Sequence, residues 1–326
     1  MPSDTQKGYA LAVIAILMWS TSEIVQKLWQ RLGYQPLTLG FFRYFVGAFS
    51  ILIIMTFQKD FKGMGGMLRR NWKLFLISSA FATAVGNYIY FVGMQLTQAN
   101  IGSAIYTSYP IYVTIYSMVI LNEKNNMRRK IIGLVLGFAG VAILVTNFDL
   151  TGFWRDENFL GNILVLIGSL TWSLYSVIGK KIQRCEAALG VTNADVKFNF
   201  LSMVIAAITS GIPLIFLPEG ATLFQYSIDG WTLILIMGFI TTGWGFYVFF
   251  LAVKKIEVSQ AISLAYIKPI MTIIFAFWLL SEVPTPALLV AIPVIFASIV
   301  IINWHAKESK NPFCRPEIAI VPPNEL

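Results

Sequence analysis

Charge is scarce in this sequence. Only 12% of its 326 residues are charged while 57% are hydrophobic, and a soluble chain of this length carries about twice that charged fraction on its surface. Histidine is nearly missing: His305 stands alone at the end of the last apolar run. That excludes a histidine-based metal site or a Ser–His–Asp triad within one chain, so neither a metal nor a cofactor is expected. The two cysteines, Cys185 and Cys314, have no pairing pattern and no CxxC. They exclude a disulfide framework and read as ordinary free thiols.

What the chain has instead is long apolar runs. Ten of them, near 8–28, 37–57, 74–95, 99–121, 130–147, 159–180, 198–217, 230–251, 257–280 and 286–304, are long enough for a bilayer core, which is about 30 Å thick and is crossed at about 1.5 Å per helical residue. Each is expected to be a helix, because an open strand leaves its backbone polar groups unpaired in lipid. The first run has no small-x-small cleavage site and is expected as a retained helix. Nineteen of the 24 Lys and Arg residues fall at one set of helix ends, three at the other, and Arg43 and Lys268 lie inside spans. This asymmetry predicts an even number of helices with both termini in the cytoplasm of a cell-membrane protein. It also accounts for the net charge of +8, so nucleic acid is not an expected partner; the lipid bilayer is. The stretch "QKDFKGMGGMLRRN" (58–71) reads as a flexible basic loop, and residues 306–326 as a disordered cytoplasmic tail.

The chain also repeats itself. "SYPIYVTIYSMVILNE" (108–123) aligns with "IKPIMTIIFAFWLLSE" (267–282) at an offset of 159, pairing Pro110 with Pro269 and Glu123 with Glu282. The same offset pairs Gly86 with Gly245, Tyr88 with Tyr247 and Phe91 with Phe250, while "MWSTSEIVQK" (18–27) resembles "TWSLYSVIGK" (171–180). Residues 1–147 and 148–305 therefore read as two copies of one five-helix unit. Five is odd, so the second copy enters the membrane from the opposite side, an inverted repeat of the kind that places a carrier's site near the midplane. The fold class expected is an all-α integral membrane protein of ten transmembrane helices in two inverted five-helix repeats.

These segments, with "FFRYFVGA" (41–48) on the second span, resemble the motifs of the drug/metabolite transporter superfamily, EamA type, over residues 8–305. The resemblance implies a ten-helix carrier of small metabolites, often an exporter of amino acids or related compounds, with a central cavity lined by helices 1, 3, 4, 6, 8 and 9. This chain departs from the pattern at Asn122 and Ser281, where a Gly is usual before Glu, at Ser20, and at Glu23, where an apolar residue is usual.

Candidate site residues follow from polarity inside the spans. Pro110 and Pro269 each remove a backbone donor midway along a helix, freeing the carbonyls of Tyr106 and Ala265 and kinking the chain. Asn100, Ser103, Thr107, Pro110, Thr114 and Ser117 lie along one helical face. That face serves either helix packing or a water-filled pathway. Gly133, Gly137 and Gly140 read as packing, within the chain or across a homodimer made through Gly/Ala-rich faces. Glu23 and Arg43 both sit roughly 8–9 Å from the outer ends of their helices and are expected to pair with each other. Lys268 lies roughly 16 Å in with no partner at its level. An isolated charge there costs at least about 2.5–3.5 kcal/mol, so it is expected to face a cavity or a partner, the alternative being a neutral, packed lysine. The substrate-binding set is Lys268, Tyr266, Arg43, Glu23, Asn87, Tyr106, Thr107 and Trp244, with Pro110 and Pro269 as kinks. The expected function is secondary transport of small organic metabolites, amino acids or related zwitterions and anions, by alternating access. A nucleotide-sugar or sugar-phosphate antiporter of the same fold is the alternative. A channel or scaffold lacks support from a filter-like loop, and an enzyme lacks a nucleophile–base pair.

Overall fold

The computed structural model describes residues 4–121, 127–149, 156–253, 255 and 267–303. Among these, every regular element is helical: α1 (Asp4–Ser20), α2 (Ser22–Arg31), α3 (Pro36–Gln58), α4 (Met64–Phe75), α5 (Gly86–Gln95), α6 (Ala99–Thr107), α7 (Tyr109–Ile120), α8 (Met127–Thr146), α9 (Phe159–Ala188), α10 (Ala194–Leu214), α11 (Pro218–Ala221), α12 (Ile228–Leu235), α13 (Gly245–Val253), α14 (Ile267–Leu280) and α15 (Pro286–Asn303). Among the described residues, seven helical runs are long and apolar enough to cross a bilayer, Thr5–Arg31, Pro36–Gln58, Met64–Gln95, Met127–Thr146, Phe159–Ala188, Ala194–Leu214 and Ile228–Phe249. The expected fourth span is broken at Ser108 into α6 and α7, and the ninth and tenth are the shorter apolar helices α14 and α15. Residues 257–266 of the expected ninth span lie outside the described residues.

Two expectations need correction. The stretch 58–71 is a loop only as far as Gly63, whose left-handed φ of 83° lets the chain turn into α4. From Met64 it is helical, because Met67 and Phe75 supply an apolar face that is fully buried. Cys185 is disulfide-bonded rather than a free thiol, a pairing that sequence spacing does not encode.

Each half contains a wide turn at matching positions. Leu76–Val85 between α4 and α5, and Ile236–Trp244 between α12 and α13, are π-helical. In both, a threonine hydroxyl bonds a carbonyl five residues back: Thr83 to Ser78 at 2.8 Å and Thr242 to Met237 at 2.7 Å. Such bulges re-aim side chains and concentrate at functional sites.

The halves interlock. Helix α5 packs on α9, α1 on α13, α3 on α10, α6 on α14 and α8 on α15. Small residues permit the close crossings: a Cβ on Gly161 would lie 2.5 Å from the Leu96 carbonyl, and one on Gly86 2.2 Å from Thr171 Oγ1. The Gly137–Gly140 face packs within the chain, on Ile111, Ser298 and Ile295, and Ser298 Oγ donates to the Gly133 carbonyl at 2.6 Å. At the end carrying the basic excess, buried Lys197 meets Asp60 at 2.6 Å, and buried Glu186 accepts from Arg70 and from Asn71. Asp60 lies in the loop outside the spans. Burial raises its pKa, but hydrogen bonds from Lys197, Asn193 and Thr192 outweigh this and hold it below the ordinary 3.8.

Candidate functional site

Three hydroxyl residues in a row, Ser20, Thr21 and Ser22, stand where α1 gives way to α2, with Thr21 alone between the two helices. Ser20 Oγ donates to the Ile16 carbonyl at 2.8 Å and Thr21 Oγ1 to that of Met18 at 2.7 Å, the back-bonding that loosens and bends helices. The break sets Glu23 in the first turn of α2, where it is 0% exposed. Lys268, in the first turn of α14, reaches it with Nζ 2.6 Å from Oε1. Tyr90 OH donates to the same oxygen at 2.8 Å and accepts from Gln26 Nε2 at 3.3 Å. The Lys268 ammonium also lies 5.0 Å from the centre of the Tyr106 ring, which is 4.4 Å from that of Tyr90. Carboxylate, hydroxyl and ring face together supply what a buried ammonium loses in leaving water.

Arg43 does not join this pair. From α3 its Nε donates to Thr242 Oγ1 at 3.1 Å and Nη1 to Asn87 Oδ1 at 3.2 Å, with the Tyr44 and Phe91 rings each 5.8 Å away. The expected Glu23–Arg43 bridge is therefore replaced by Glu23–Lys268, so that Lys268 faces a partner, one of the two surroundings expected of it, and that partner is a residue that depth along the helices had placed out of its reach. Depths counted from helix ends omit helix tilt and the reach of a lysine side chain, and both matter here. Arg43 is 8% exposed and all its hydrogen-bond partners are neutral. Among the described residues, one carboxylate thus faces two cations, leaving the site with one positive charge.

The other candidates divide. Asn87 and Tyr106 belong to the cluster, and Thr107 beside them is buried. The ring of Trp244 is corrected out of it: 41% exposed, it packs on Phe239 and Tyr247, because the turn that aims Thr241 and Thr242 inward sends position 244 outward. Tyr266 lies outside the described residues. The carbonyl freed by Pro110, that of Tyr106, accepts from Ser169 Oγ on α9 at 3.1 Å. Pro269 is buried at the start of α14, and its freed carbonyl, Ala265, is not among the described residues. The polar face of α6–α7 is buried, and Ser103 donates to Thr272 of α14 at 3.1 Å, so there it serves packing. Trp19 and Trp172, partners in the sequence repeat, meet the same ring, Phe246, at 5.2 and 5.8 Å.

Gln26, Tyr90 and Thr242 were missed. Gln26 follows Glu23, and Tyr90 follows Asn87, by three residues, so one-face spacing held a signal; the role of Thr242 depends on the π-helical turn. Among the described residues, buried polar atoms without a protein partner also gather here, Glu23 Oε2, Gln26 Oε1, Asn87 Nδ2 and Thr107 Oγ1 among them. Orphaned groups of this kind call for a polar ligand or water.

The profile of the EamA-like transporter family matches residues 6–146 and again 159–304. An uncharacterized transporter, YvbV, of Bacillus subtilis (strain 168) is 25% identical over 301 residues, covering 92% of each chain. A second from that organism, YyaM, is 26% identical over 244 residues, 75% of this chain and 77% of its own. An uncharacterized transporter of Archaeoglobus fulgidus is 23% identical over 280 residues, 85% of this chain and 91% of its own. A solved protein crystal structure superposes with a TM-score of 0.61 at 18% identity, covering 90% of this chain and 95% of that one, a likeness of fold.

Proposed function

The chain belongs to the EamA-like transporter family, and from that membership we propose that this multi-pass membrane protein is a secondary carrier. It moves small organic metabolites, amino acids or related zwitterions and anions, by alternating access, in the export direction, across the cell membrane. Ten helices in two inverted repeats, with cytoplasmic termini, are part of this reading. It is supported by the family profile matching each half, by the paired π-helical turns and by the meeting of Trp19 and Trp172 at one ring.

One observation carries the substrate reading. Among the described residues the hydrogen-bond partners of the buried Arg43 cation are neutral, and a buried charge with neutral partners is costly unless a ligand brings a counter-ion. It would take the substrate's carboxylate, with Asn87 Nδ2 as a second donor. Lys268, held by Glu23, is the less available cation. A sugar phosphate would bring a charge of about −1.5 to −2 next to Glu23, which stands against that alternative.

The test is counterflow in proteoliposomes across a panel of labelled amino acids and organic acids. Arg43→Gln is expected to lower counterflow of whichever acid is carried by at least about tenfold, with folding checked by gel filtration. A folded Arg43→Gln protein with full counterflow would sink the assignment.

A further inference from the structure

Helix α14 is fastened to the first half at three levels. At its start, Lys268 meets Glu23 of α2 at 2.6 Å. One turn on, Thr272 accepts from Ser103 of α6 at 3.1 Å. Just past its end, Glu282 takes two backbone donors in the first turn of α6. Ala99 N–H reaches Oε1 at 2.9 Å and Asn100 N–H reaches Oε2 at 3.1 Å. Beside them Arg31, in the last turn of α2, donates to the carbonyls of Leu279 and Leu280 at 3.3 and 2.9 Å. From Lys268 to Leu280 this seam runs about 18 Å, toward the end of the bundle opposite the basic excess. Ala99, Asn100, Ser103 and Thr272 are fully buried in it, so along the seam the site is shut off from that end.

The last of these contacts is aimed by an uncommon backbone. Ser281 has a left-handed φ of 59°, a conformation that costs a side chain free energy and glycine almost none. The turn brings the Glu282 N–H to the Ala276 carbonyl at 3.2 Å and sends its carboxylate across to the other half. A negative group on the N–H donors of a helix start is favoured by the helix dipole and by charge-assisted hydrogen bonds. The sequence repeat offers this glutamate twice, since Glu123 matches Glu282; Glu123 lies outside the described residues.

We propose that Glu282 is the latch of a gate. With its carboxylate on α6 the way from the site to that end is closed; when it lets go, α14 beyond Lys268 parts from α2 and α6. This rests on the carrier reading and adds the residue that controls access to its site. The fastening contacts are hydrogen bonds whose groups can turn to water instead, so letting go costs little, and the left-handed turn at Ser281 is then free to relax.

The experiment places a cysteine in the seam, Ser103→Cys, and follows its reaction with a charged methanethiosulfonate reagent. The protein is purified in detergent and passed through gel filtration, and the parent is measured alongside to subtract its native cysteines. Adding Glu282→Gln, which keeps the shape and removes the charge, is expected to speed the reaction at least about tenfold, the span of one charge-assisted hydrogen bond. Adding Ser281→Gly, which leaves Glu282 in place and lifts the left-handed cost from the latched form, should slow it severalfold. Ser202→Cys, buried on α10 away from the seam, is the reference, and Glu282→Gln should leave its rate unchanged. An unchanged rate at position 103 in Glu282→Gln overturns the latch, as does a faster one in Ser281→Gly. Equal acceleration at positions 103 and 202 also overturns it, because the carboxylate would then merely stabilise the fold. No substrate enters these measurements, so each such result leaves the carrier reading to the counterflow assay.

Discussion

Replacing Glu23 and Lys268 singly and together should reveal a strong coupling. At 2.6 Å and an effective dielectric of about 20, the attraction between the two charges is about 6 kcal/mol. Much of it is offset by the desolvation of both ends, since the carboxylate side chain is 0% exposed and that of the lysine 11%. Removing one end strands the other in the bundle, which costs about 3–5 kcal/mol. Lys268→Met, a mild change for a lone buried lysine, should therefore be strongly destabilising, because it leaves the buried Glu23 carboxyl without its cation. The double variant Glu23→Gln/Lys268→Met removes both charges, and the glutamine can still accept from Tyr90. Its stability should return to within about 2 kcal/mol of the parent, giving a coupling of at least about 3 kcal/mol. Chemical unfolding in mixed micelles, followed by tryptophan fluorescence, measures all four proteins. Additive losses would refute the pairing, as would a larger coupling between Glu23 and Arg43.

Three further outcomes are expected. Gly161→Ala should loosen the α5–α9 crossing and cost about 1–3 kcal/mol, because its Cβ would sit 2.5 Å from the Leu96 carbonyl; unchanged stability in the same unfolding assay would contradict that packing. The Asp60–Lys197 contact should weaken in acid. The Asp60 pKa is lowered on folding, so its contribution is present above the unfolded value near 3.8 and is lost as pH falls through the folded one. The stability gap between parent and Asp60→Asn should then close below pH 3.8, and a gap as wide there as at neutral pH would argue against the linkage. Finally, a cysteine at position 64 should react with impermeant thiol reagent only from the cytoplasmic side, and labelling from outside intact cells would reverse the proposed orientation.

Composition and periodicity determined a good deal. With so little charge and such long apolar runs, helix is the form that satisfies the backbone in lipid, and the described residues are helical where those runs predict. The Pro110 effect was also local enough to read, since a missing donor at one position frees one carbonyl four residues earlier, and that carbonyl is the one Ser169 takes up. The repeat pointed to matching devices in the two halves, and Thr83 and Thr242 supply one. The partner of each charge was not legible. Glu23, Arg43 and Lys268 stand on three helices, and which two meet depends on helix tilt, on a break at Ser20–Ser22 and on a wide turn that brings Thr242 to Arg43. A shift of a few ångströms or one residue in any of these would redistribute the pairing. Sequence spacing fixes distances along one helix, whereas distances between helices are fixed by how their side chains pack. For that reason the Glu23–Lys268 ion pair, and the neutral partners of Arg43 among the described residues, were decided only by the tertiary structure.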